Sequence, residues 1–360
     1  MARDDASTVP DLPSALADAV PFSIALVTPF RRVRRREGML IGGPSGFGEF
    51  APFDDYPDWA ASRWLGSAIE AAFGTWPTPR RSQVTSNAII PDAPFAETVA
   101  MSRAAVTTLG CTVLKVKVGG ERDVAEDLAR IRAIAGVLDA ELGGDRGMLR
   151  IDVNGAWEAP TAIAALLAIT DAAGGRLDYA EQPCARLDDL ALVRERTGVR
   201  IAVDEPVRRA VDPLDPALIE AVRACADVLI VKAAPLGGVH AGLDIAAGYG
   251  LGVVVSGSLD SSVGLASGIA LAAAVPDDLP SGLGTGALLA TDLVPQATLP
   301  VGGRIAIARR SPDPECLRRA RAAIDPDRAQ WWRQRLIAAW AAAGRPQRDR
   351  WLSTIGADRA

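Results

Sequence analysis

The sequence is poor in lysine and histidine. Its 360 residues include three lysines, against thirty-six arginines, and one histidine, His240. A single histidine excludes zinc sites built from several histidines, and it argues against Ser-His-Asp and Cys-His catalysis, which need a histidine base. Because His240 follows a Gly-Gly turn, we interpret it as a surface helix residue.

Cysteines are also few, and long apolar runs are missing. The four cysteines form no Cys-x-x-Cys pair, which disfavours metal–thiolate sites and disulfides and favours a reducing cytoplasm; they are Cys111, Cys184, Cys225 and Cys316. No apolar run reaches the roughly 20 residues of a membrane span. The acidic N-terminus lacks the apolar core of a signal peptide. These absences predict a cytoplasmic protein that does not enter a membrane.

Signatures of nucleotide and nucleic-acid binding are missing as well. No G-x-G-x-x-G follows an early strand and no G-x-x-x-x-G-K-[ST] occurs, which excludes the dinucleotide and P-loop motifs. A formal charge of -5 disfavours nucleic acid as a partner. We interpret the one arginine run, residues 31–36, as a solvated loop or strand edge.

The three lysines that are present stand on two short apolar segments. Lys115 and Lys117 lie in Leu-Lys-Val-Lys-Val, and Lys232 ends Val-Leu-Ile-Val-Lys. Arginine fills almost every other cationic position, so these sites need something that arginine does not offer. An ammonium can lose its proton when it is buried or crowded, whereas a guanidinium effectively never does. The sequence therefore predicts that these lysines are catalytic bases.

The middle of the chain alternates short β-branched runs with longer segments of helical period. This rhythm predicts right-handed βαβ units and a parallel sheet. Eight strands favour a closed (β/α)8-type barrel over an open doubly wound sheet. The strands are predicted at residues 83–89, 112–118, 149–153, 178–181, 200–203, 228–231, 252–255 and 281–284.

Both ends of the chain have a different pattern of predicted strands and helices. Residues 21–28 and 39–43 are typical of paired strands, and residues 58–73 of an amphipathic helix. We therefore predict an α+β capping segment over residues 1–81 and the barrel with the active site over residues 82–298. Residues 299–360 are predicted to return to the cap.

A carboxylate stands where each of three neighbouring predicted strands stops. These residues are Asp152, Glu181 and Asp204. Burying three carboxylates together is costly unless a cation neutralises them. Oxygen ligands without histidine or cysteine suit a hard divalent ion such as Mg²⁺. A lone strand-end aspartate is more often a helix cap, but three of them on one barrel face with three lysines favour catalysis.

The strand period sharpens this hypothesis. Alternate residues of a strand face the same side, so Lys115 and Lys117 are expected to point into the barrel and Val116 outward. Two neighbouring ammonium groups repel each other and lower each other's pKa, which favours a general base near neutral pH. With Lys232 nearly opposite, the arrangement predicts removal of a proton α to a carboxylate, with a metal-stabilised enediolate.

At this point nearly the whole chain resembles the enolase superfamily, in its muconate-lactonising-type branch with a Lys-x-Lys signature. The resemblance includes the cap loop Gly48-Glu49-Phe50-Ala51-Pro52 and the Asp-x-Asn-x-x-Trp that begins at Asp152. The acid spacing and the serine-rich segment 256–264 are most similar to the family of actinobacterial o-succinylbenzoate synthases.

This resemblance implies a lyase of menaquinone biosynthesis with a small dicarboxylate substrate. Asp152, Glu181 and Asp204 would bind Mg²⁺, or Mn²⁺ in its place. Lys117 would remove the α-proton and then, as its conjugate acid, assist the departure of the ring hydroxyl. Lys232 would stabilise the anionic intermediate from the opposite side, and Lys115 would tune Lys117. The remaining positions would serve the substrate or the metal: Ser256 and Ser258 near the substrate carboxylates, and Asn154 beside a metal ligand.

Other functions remain open at this stage. The same constellation serves cycloisomerases, N-succinylamino acid racemases and dipeptide epimerases, because function belongs to the site and not to the fold. An epimerase typically carries Asp-x-Asp at its eighth strand, whereas this chain has Ser281-Gly282-Leu283-Gly284. A racemase could use Lys117 and Lys232 as a two-base pair. A catalytically dead barrel that only binds a ligand is the remote alternative.

Overall fold

The computed structural model describes residues 12–30, 33–120, 122–144 and 146–356. Arg31 and Arg32, part of the arginine run, lie outside these residues. The strands are β1 Val20–Phe30, β2 Val33–Gly43, β3 Gly46–Phe50, β4 Gln83–Thr85, β5 Ala88–Ile90, β6 Val113–Lys117, β7 Met148–Asp152, β8 Leu177–Glu181, β9 Ile201–Val203, β10 Val228–Val231, β11 Gly252–Val255 and β12 Arg304–Ala306. The helices are α1 Ser14–Ala17, α2 Asp58–Phe73, α3 Phe95–Thr107, α4 Val124–Leu142, α5 Ala159–Ala172, α6 Leu187–Thr197, α7 Glu205–Arg208, α8 Pro216–Cys225, α9 Ala233–Leu236, α10 Val239–Tyr249, α11 Leu265–Ala274, α12 Pro314–Ala322, α13 Pro326–Ala342 and α14 Arg345–Ile355.

A parallel sheet forms the centre of the molecule. Its strand order is β11-β10-β9-β8-β7-β6-β5, and helices connect successive strands. Two single bridges join its edges, Ser256 with Gly282 and Ser86 with Ser281, so the sheet curls into a ring. The residues of these strands that face outward are apolar and pack against the covering helices. The prediction of a (β/α)8-type barrel is confirmed.

Two strand predictions differ from this structure. The predicted strand 83–89 is two strands, because β4 leaves the barrel and pairs antiparallel with β12. Ser86 and Asn87 separate them, and their side chains donate to the nearby carbonyls of Asn87 and Ala88. The predicted strand 281–284 is reduced to the bridging residues Ser281 and Gly282, since a 3₁₀ helix, Gly284–Leu288, follows at once.

The cap is an antiparallel sheet of β1, β2 and β3 with α2 packed against β3. Helices α13 and α14 also pack on α2, so the C-terminal part returns to the N-terminal part. Trp64, Trp332 and Trp340 are fully buried in the core that these elements share. The α+β cap is confirmed, and the domain boundaries at residues 81 and 298 stay a prediction. Among the described residues, no helix is long and apolar enough to cross a membrane.

Candidate active site

The three predicted acids lie together at the carboxyl ends of adjacent strands. Asp152 is the last residue of β7, Glu181 is the last residue of β8, and Asp204 directly follows β9. Asp152 and Glu181 are partners in the register of their strands. All three side chains are buried. Parallel strands therefore bring three acids to one rim of the barrel, as the sequence predicted.

Lys115 and Lys117 lie beside these acids on β6. Lys115 Nζ donates to Glu181 Oε2 at 2.8 Å and lies 3.1 Å from Asp152 Oδ2. Lys117 Nζ donates to the same Asp152 oxygen at 2.5 Å. Val116, between them, is buried in the outer core of the barrel. The prediction that the two lysines share the inner face of the strand is confirmed.

Lys232 reaches the acids from the other side of the rim. It directly follows β10, and its Nζ donates to Asp204 Oδ2 at 2.6 Å. All three lysines line one cavity of about 30 Å³ together with Asp152. The structure thus brings the predicted bases and the predicted acids into a single site.

The electrostatics of the site are dominated by its acids. Burial alone would lower the pKa of Lys115, but the negative charges of Glu181 and Asp152 outweigh it and raise this pKa above its ordinary value. The expectation that repulsion from the neighbouring ammonium lowers the pKa is therefore wrong for Lys115. Burial, followed by the charge of Asp152, raises the pKa of Glu181 to about 7.

Three carboxylates are suitable ligands for a divalent cation, although in this structure lysine ammonium groups contact all three of them. In the described part of the chain, no three His, Cys, Asp or Glu side chains form a ready metal cluster. Glu181 Oε1, however, is buried and has no hydrogen-bond partner among those residues. An anionic oxygen in that position is costly without a positive charge. Burial, which is the largest cause of the raised pKa of Glu181, makes this anionic oxygen costly for the same reason.

Two of the predicted substrate-binding residues line the cavity. Ser256 and Ser258 both stand in its wall. Ser256 Oγ donates to Gly282 O at 3.3 Å, which ties it to the bridge that closes the barrel. Ser258 is held through its backbone N–H, which donates to Asp260 Oδ2 at 2.8 Å.

Asn154, the third such residue, contacts Lys117 directly. Its Oδ1 accepts from Lys117 Nζ at 2.6 Å, and its Nδ2 donates to Glu205 Oε1 at 3.2 Å. The residue has φ = 53°, in the left-handed region, and its backbone N–H donates to Asp152 Oδ1 at 3.2 Å. Asparagine tolerates this backbone conformation better than most residues do. The turn therefore aims the amide at Lys117.

Sequence reasoning missed Arg208, which is buried at the end of α7. Its Nε donates to Asp204 Oδ1 at 2.8 Å, its Nη2 to Glu205 Oε1 at 2.5 Å, and its Nη1 to the hydroxyl of Tyr56 in the cap. Its spacing of four residues from Asp204 on a helical turn was the available signal. Arg208 therefore holds a predicted metal ligand and connects it to the cap.

A second cluster that was missed joins the cap to the serine-rich segment 256–264. Glu49 Oε2 accepts from the backbone N–H and the hydroxyl of Ser261. Arg36 donates to Leu259 O at 3.1 Å and to Ala51 O. Burial, followed by the charge of Asp260, raises the pKa of Glu49 to about 7. These buried contacts fix the segment that carries Ser256 and Ser258.

Comparison with known proteins identifies both parts of the chain. Residues 97–329 match the family described as "Enolase C-terminal domain-like", and residues 21–72 match "Enolase N-terminal domain-like". The o-succinylbenzoate synthase of Mycobacterium ulcerans (strain Agy99) is 41% identical over 93% of this chain and 96% of its own length. The o-succinylbenzoate synthase of Thermobifida fusca (strain YX) is 43% identical over 91% of this chain and 98% of its own length.

Solved structures show the same fold at lower identity. A muconate lactonizing enzyme from Pseudomonas fluorescens, complexed with muconolactone, has a TM-score of 0.69 at 18% identity, covering 84% of this chain and 97% of its own. The L-Ala-D/L-Glu epimerase from Bacillus subtilis has a TM-score of 0.67 at 21% identity, covering 82% of this chain and 96% of its own. At these identities the likeness concerns the fold alone.

Proposed function

Because the chain belongs to the enolase superfamily, we propose that it is an o-succinylbenzoate synthase, a lyase of menaquinone biosynthesis. The reaction is the syn dehydration of 2-succinyl-6-hydroxy-2,4-cyclohexadiene-1-carboxylate to 2-succinylbenzoate. The observation that carries this function is the identity of 40–43% to synthases of that name over more than nine-tenths of the chain. The lysines and acids around one cavity supply the chemistry that the reaction needs.

Lys117 is the base and then the acid. In its neutral form, Nζ takes the proton from the ring carbon that bears the carboxylate. The electron pair left behind drives the loss of the ring hydroxyl, and the Lys117 ammonium returns its proton to the departing oxygen. Water leaves and the ring becomes aromatic. Asn154 Oδ1, 2.6 Å from Lys117 Nζ, orients the amine for both steps.

Lys232 and Lys115 place positive charge beside the anionic intermediate and the carboxylates. Lys232 reaches the cavity from the end of β10 and remains an ammonium, so it stabilises the anion formed when the proton is removed. Lys115 bridges Asp152 and Glu181 and thereby holds two of the three carboxylates in place. Its ammonium contacts both carboxylates and adds positive charge to the site.

Asp152, Glu181 and Asp204 would hold a divalent cation, for which we propose Mg²⁺, with Mn²⁺ able to replace it. The buried oxygen of Glu181 that lacks a hydrogen-bond partner among the described residues supports this assignment. When bound, the ion would stabilise the charge that develops on the substrate carboxylate. Ser256 and Ser258 in the cavity wall would contact the substrate carboxylates. The four cysteines are free and buried, and we propose a cytoplasmic location.

Racemisation of N-succinylamino acids is the second candidate. The observation that favours it is the position of Lys117 and Lys232, which line one cavity from different strands, as a two-base mechanism requires. Dehydration on one face needs Lys117 alone as the base. The two activities can therefore be separated with one protein and two substrates.

The test is an ultraviolet assay of ring aromatisation with Mg²⁺, run beside a racemisation assay on N-succinylamino acids. Aromatisation that EDTA abolishes and Mg²⁺ restores supports the synthase. Racemisation without aromatisation would replace it with the racemase. A thermal-melting series gives a readout that needs no turnover: Mg²⁺ should raise the melting temperature of the wild type but not of Asp152→Asn. If the protein shows no turnover and Mg²⁺ does not shift its melting temperature, the result favours a non-catalytic barrel.

A further inference from the structure

A cleft of about 490 Å³ lies beside the catalytic cavity, between the cap and the barrel. Its walls come from β2, the cap loop 52–56, the end of α7 and the start of α13. Phe53, Tyr56 and Arg208 line both spaces, so these three side chains form the partition between them. The cleft and the catalytic cavity are therefore neighbours across one layer of side chains.

The catalytic cavity, of about 30 Å³, is bounded on the side of the cleft by Phe53, Tyr56 and Arg208. Because Phe53 and Tyr56 belong to the cap loop, movement of this loop would join the small cavity to the large cleft. The cleft is thus a described space beside the cavity through which a substrate can arrive.

The cleft is strongly positive although the protein is acidic. The chain carries a formal charge of -5. Six arginines line the cleft against three acids, Glu37, Asp54 and Asp55; the arginines are Arg34, Arg35, Arg36, Arg208, Arg209 and Arg328. A concave surface lined by one sign of charge concentrates ligands of the opposite sign and speeds their arrival. The ligand class that fits is a small dianion.

Most of these arginines already have partners within the protein. Arg328 donates to Glu37 and lies 3.3 Å from Asp54, and Arg209 pairs with Asp55. Arg35 and Arg36 donate to cap and barrel groups, mainly backbone carbonyls. Arg34 differs from them. It is exposed in the cleft wall and makes no hydrogen bond or ion pair with another described residue.

We propose that this cleft recruits the dicarboxylate substrate to the active site and that Arg34 is the residue that meets an incoming carboxylate. The proposal rests on the proposed function, which supplies a substrate with two carboxylates. Arg34 acts before the chemical step. Its loss should therefore change the capture of substrate and leave turnover of the bound substrate unaltered.

Steady-state kinetics of the Mg²⁺-loaded enzyme test this directly. Arg34→Gln should lower kcat/KM at low ionic strength by roughly threefold or more, and Arg34→Glu by roughly tenfold, with kcat unchanged. High salt should shrink both differences, since exposed charges are screened. The matched control is Arg132→Gln, an exposed arginine on α4 outside the cleft, which should behave as wild type. An Arg34→Glu enzyme with wild-type kcat/KM at low salt would overturn the proposal.

A binding measurement separates this proposal from the proposed function. Calorimetry with 2-succinylbenzoate, a dianion, should show weaker binding to Arg34→Gln than to wild type, and benzoate, a monoanion, should show a smaller difference. A wild-type protein that binds the dianion but performs no dehydration would refute the proposed synthase function. The proposed role of the cleft would not be affected by that result. Equal binding of the dianion by wild type and Arg34→Gln would refute the proposed role of the cleft, whether or not the protein performs dehydration.

Discussion

Lys232 Nζ donates a hydrogen bond of 2.6 Å to Asp204 Oδ2, and both side chains are almost completely buried. The pair links the end of β10 to the end of β9 at the rim of the barrel. Removing one partner of a buried pair leaves an uncompensated charge. Lys232 therefore also stabilises the folded site, and substitutions of Lys232 or Asp204 need a folding measurement beside the activity.

Lys117→Ala should abolish most of the dehydration. Loss of a general acid–base group typically costs about 10²–10⁴-fold in rate. Lys117→Arg should be similarly inactive, because a guanidinium keeps the charge but does not give up its proton. The measurement is the ultraviolet aromatisation rate, with circular dichroism to verify folding. Full dehydration by a folded Lys117→Ala protein would contradict the assignment.

Lys232→Ala should distinguish electrostatic stabilisation from two-base chemistry. If Lys232 only stabilises the anion, Lys232→Arg keeps a positive charge and should recover part of the dehydration that Lys232→Ala loses. Racemisation by a two-base route would be lost in both variants, because neither side chain exchanges a proton. We expect partial recovery of dehydration in Lys232→Arg; recovery of racemisation there would contradict the two-base alternative.

The positions of the acids and lysines at the strand ends were predictable because they depend on local order in the chain. Acids after apolar runs and lysines two residues apart on a strand must meet at one rim of a parallel barrel. Arg208 was not predictable in the same way. Its hydroxyl partner Tyr56 lies 152 residues away, and only the docking of the cap on the barrel creates that contact. The link between Glu49 and Ser261 spans 212 residues for the same reason.

The eighth predicted strand is shorter in the structure than the sequence indicated. Residues 281–284 contain one large apolar residue, Leu283, and glycines stand on both sides of it at positions 282 and 284. Glycine weakens strand interiors. The segment keeps only the bridges that close the barrel, and a 3₁₀ helix follows. The order of the barrel was thus predictable, while the length of its last strand depended on packing.

Arg208→Met should weaken metal activation. The substitution leaves Asp204 Oδ1 without the Nε donor at 2.8 Å, so the carboxylate loses its orientation. Loss of such an orienting contact typically costs about 10–100-fold in metal affinity. The measurement is the Mg²⁺ concentration for half-maximal dehydration. Arg196→Met, at an exposed position on α6, is the control and should not change it. An unchanged Mg²⁺ requirement in Arg208→Met would show that Asp204 does not depend on this contact.

Glu49→Gln should change how stability depends on pH. The folded protein raises the pKa of Glu49 from 4.5 to about 7, chiefly through burial and then through Asp260. The native state therefore binds this proton more tightly than the unfolded chain. The resulting stabilisation is complete below pH 4.5 and is lost as the pH rises through 7.

A glutamine at this position does not ionise, so the variant avoids that loss. Relative to wild type, its free energy of unfolding should improve between pH 5 and pH 8 by up to about 3 kcal/mol. Urea denaturation at the two pH values measures the difference. Glu195→Gln, at an exposed position on α6, should show a pH-independent difference. The same flat behaviour in Glu49→Gln would contradict the raised pKa.

Gly48→Ala should destabilise the cap, because β3 packs closely against the backbone of α2 at this glycine. A Cβ there would lie 2.6 Å from the carbonyl carbon and 2.7 Å from the Cα of Ala68, both backbone atoms that cannot turn aside. The strand would have to move off the helix, which should cost about 1–3 kcal/mol of unfolding free energy. Gly136→Ala is the matched control, since a Cβ at this exposed helical position meets nothing within 4 Å. It should stabilise the protein by about 0.5–1 kcal/mol through the helix preference of alanine. Urea denaturation of both variants decides the matter, and equal stability of the two would show that the cap tolerates a wider separation of β3 and α2.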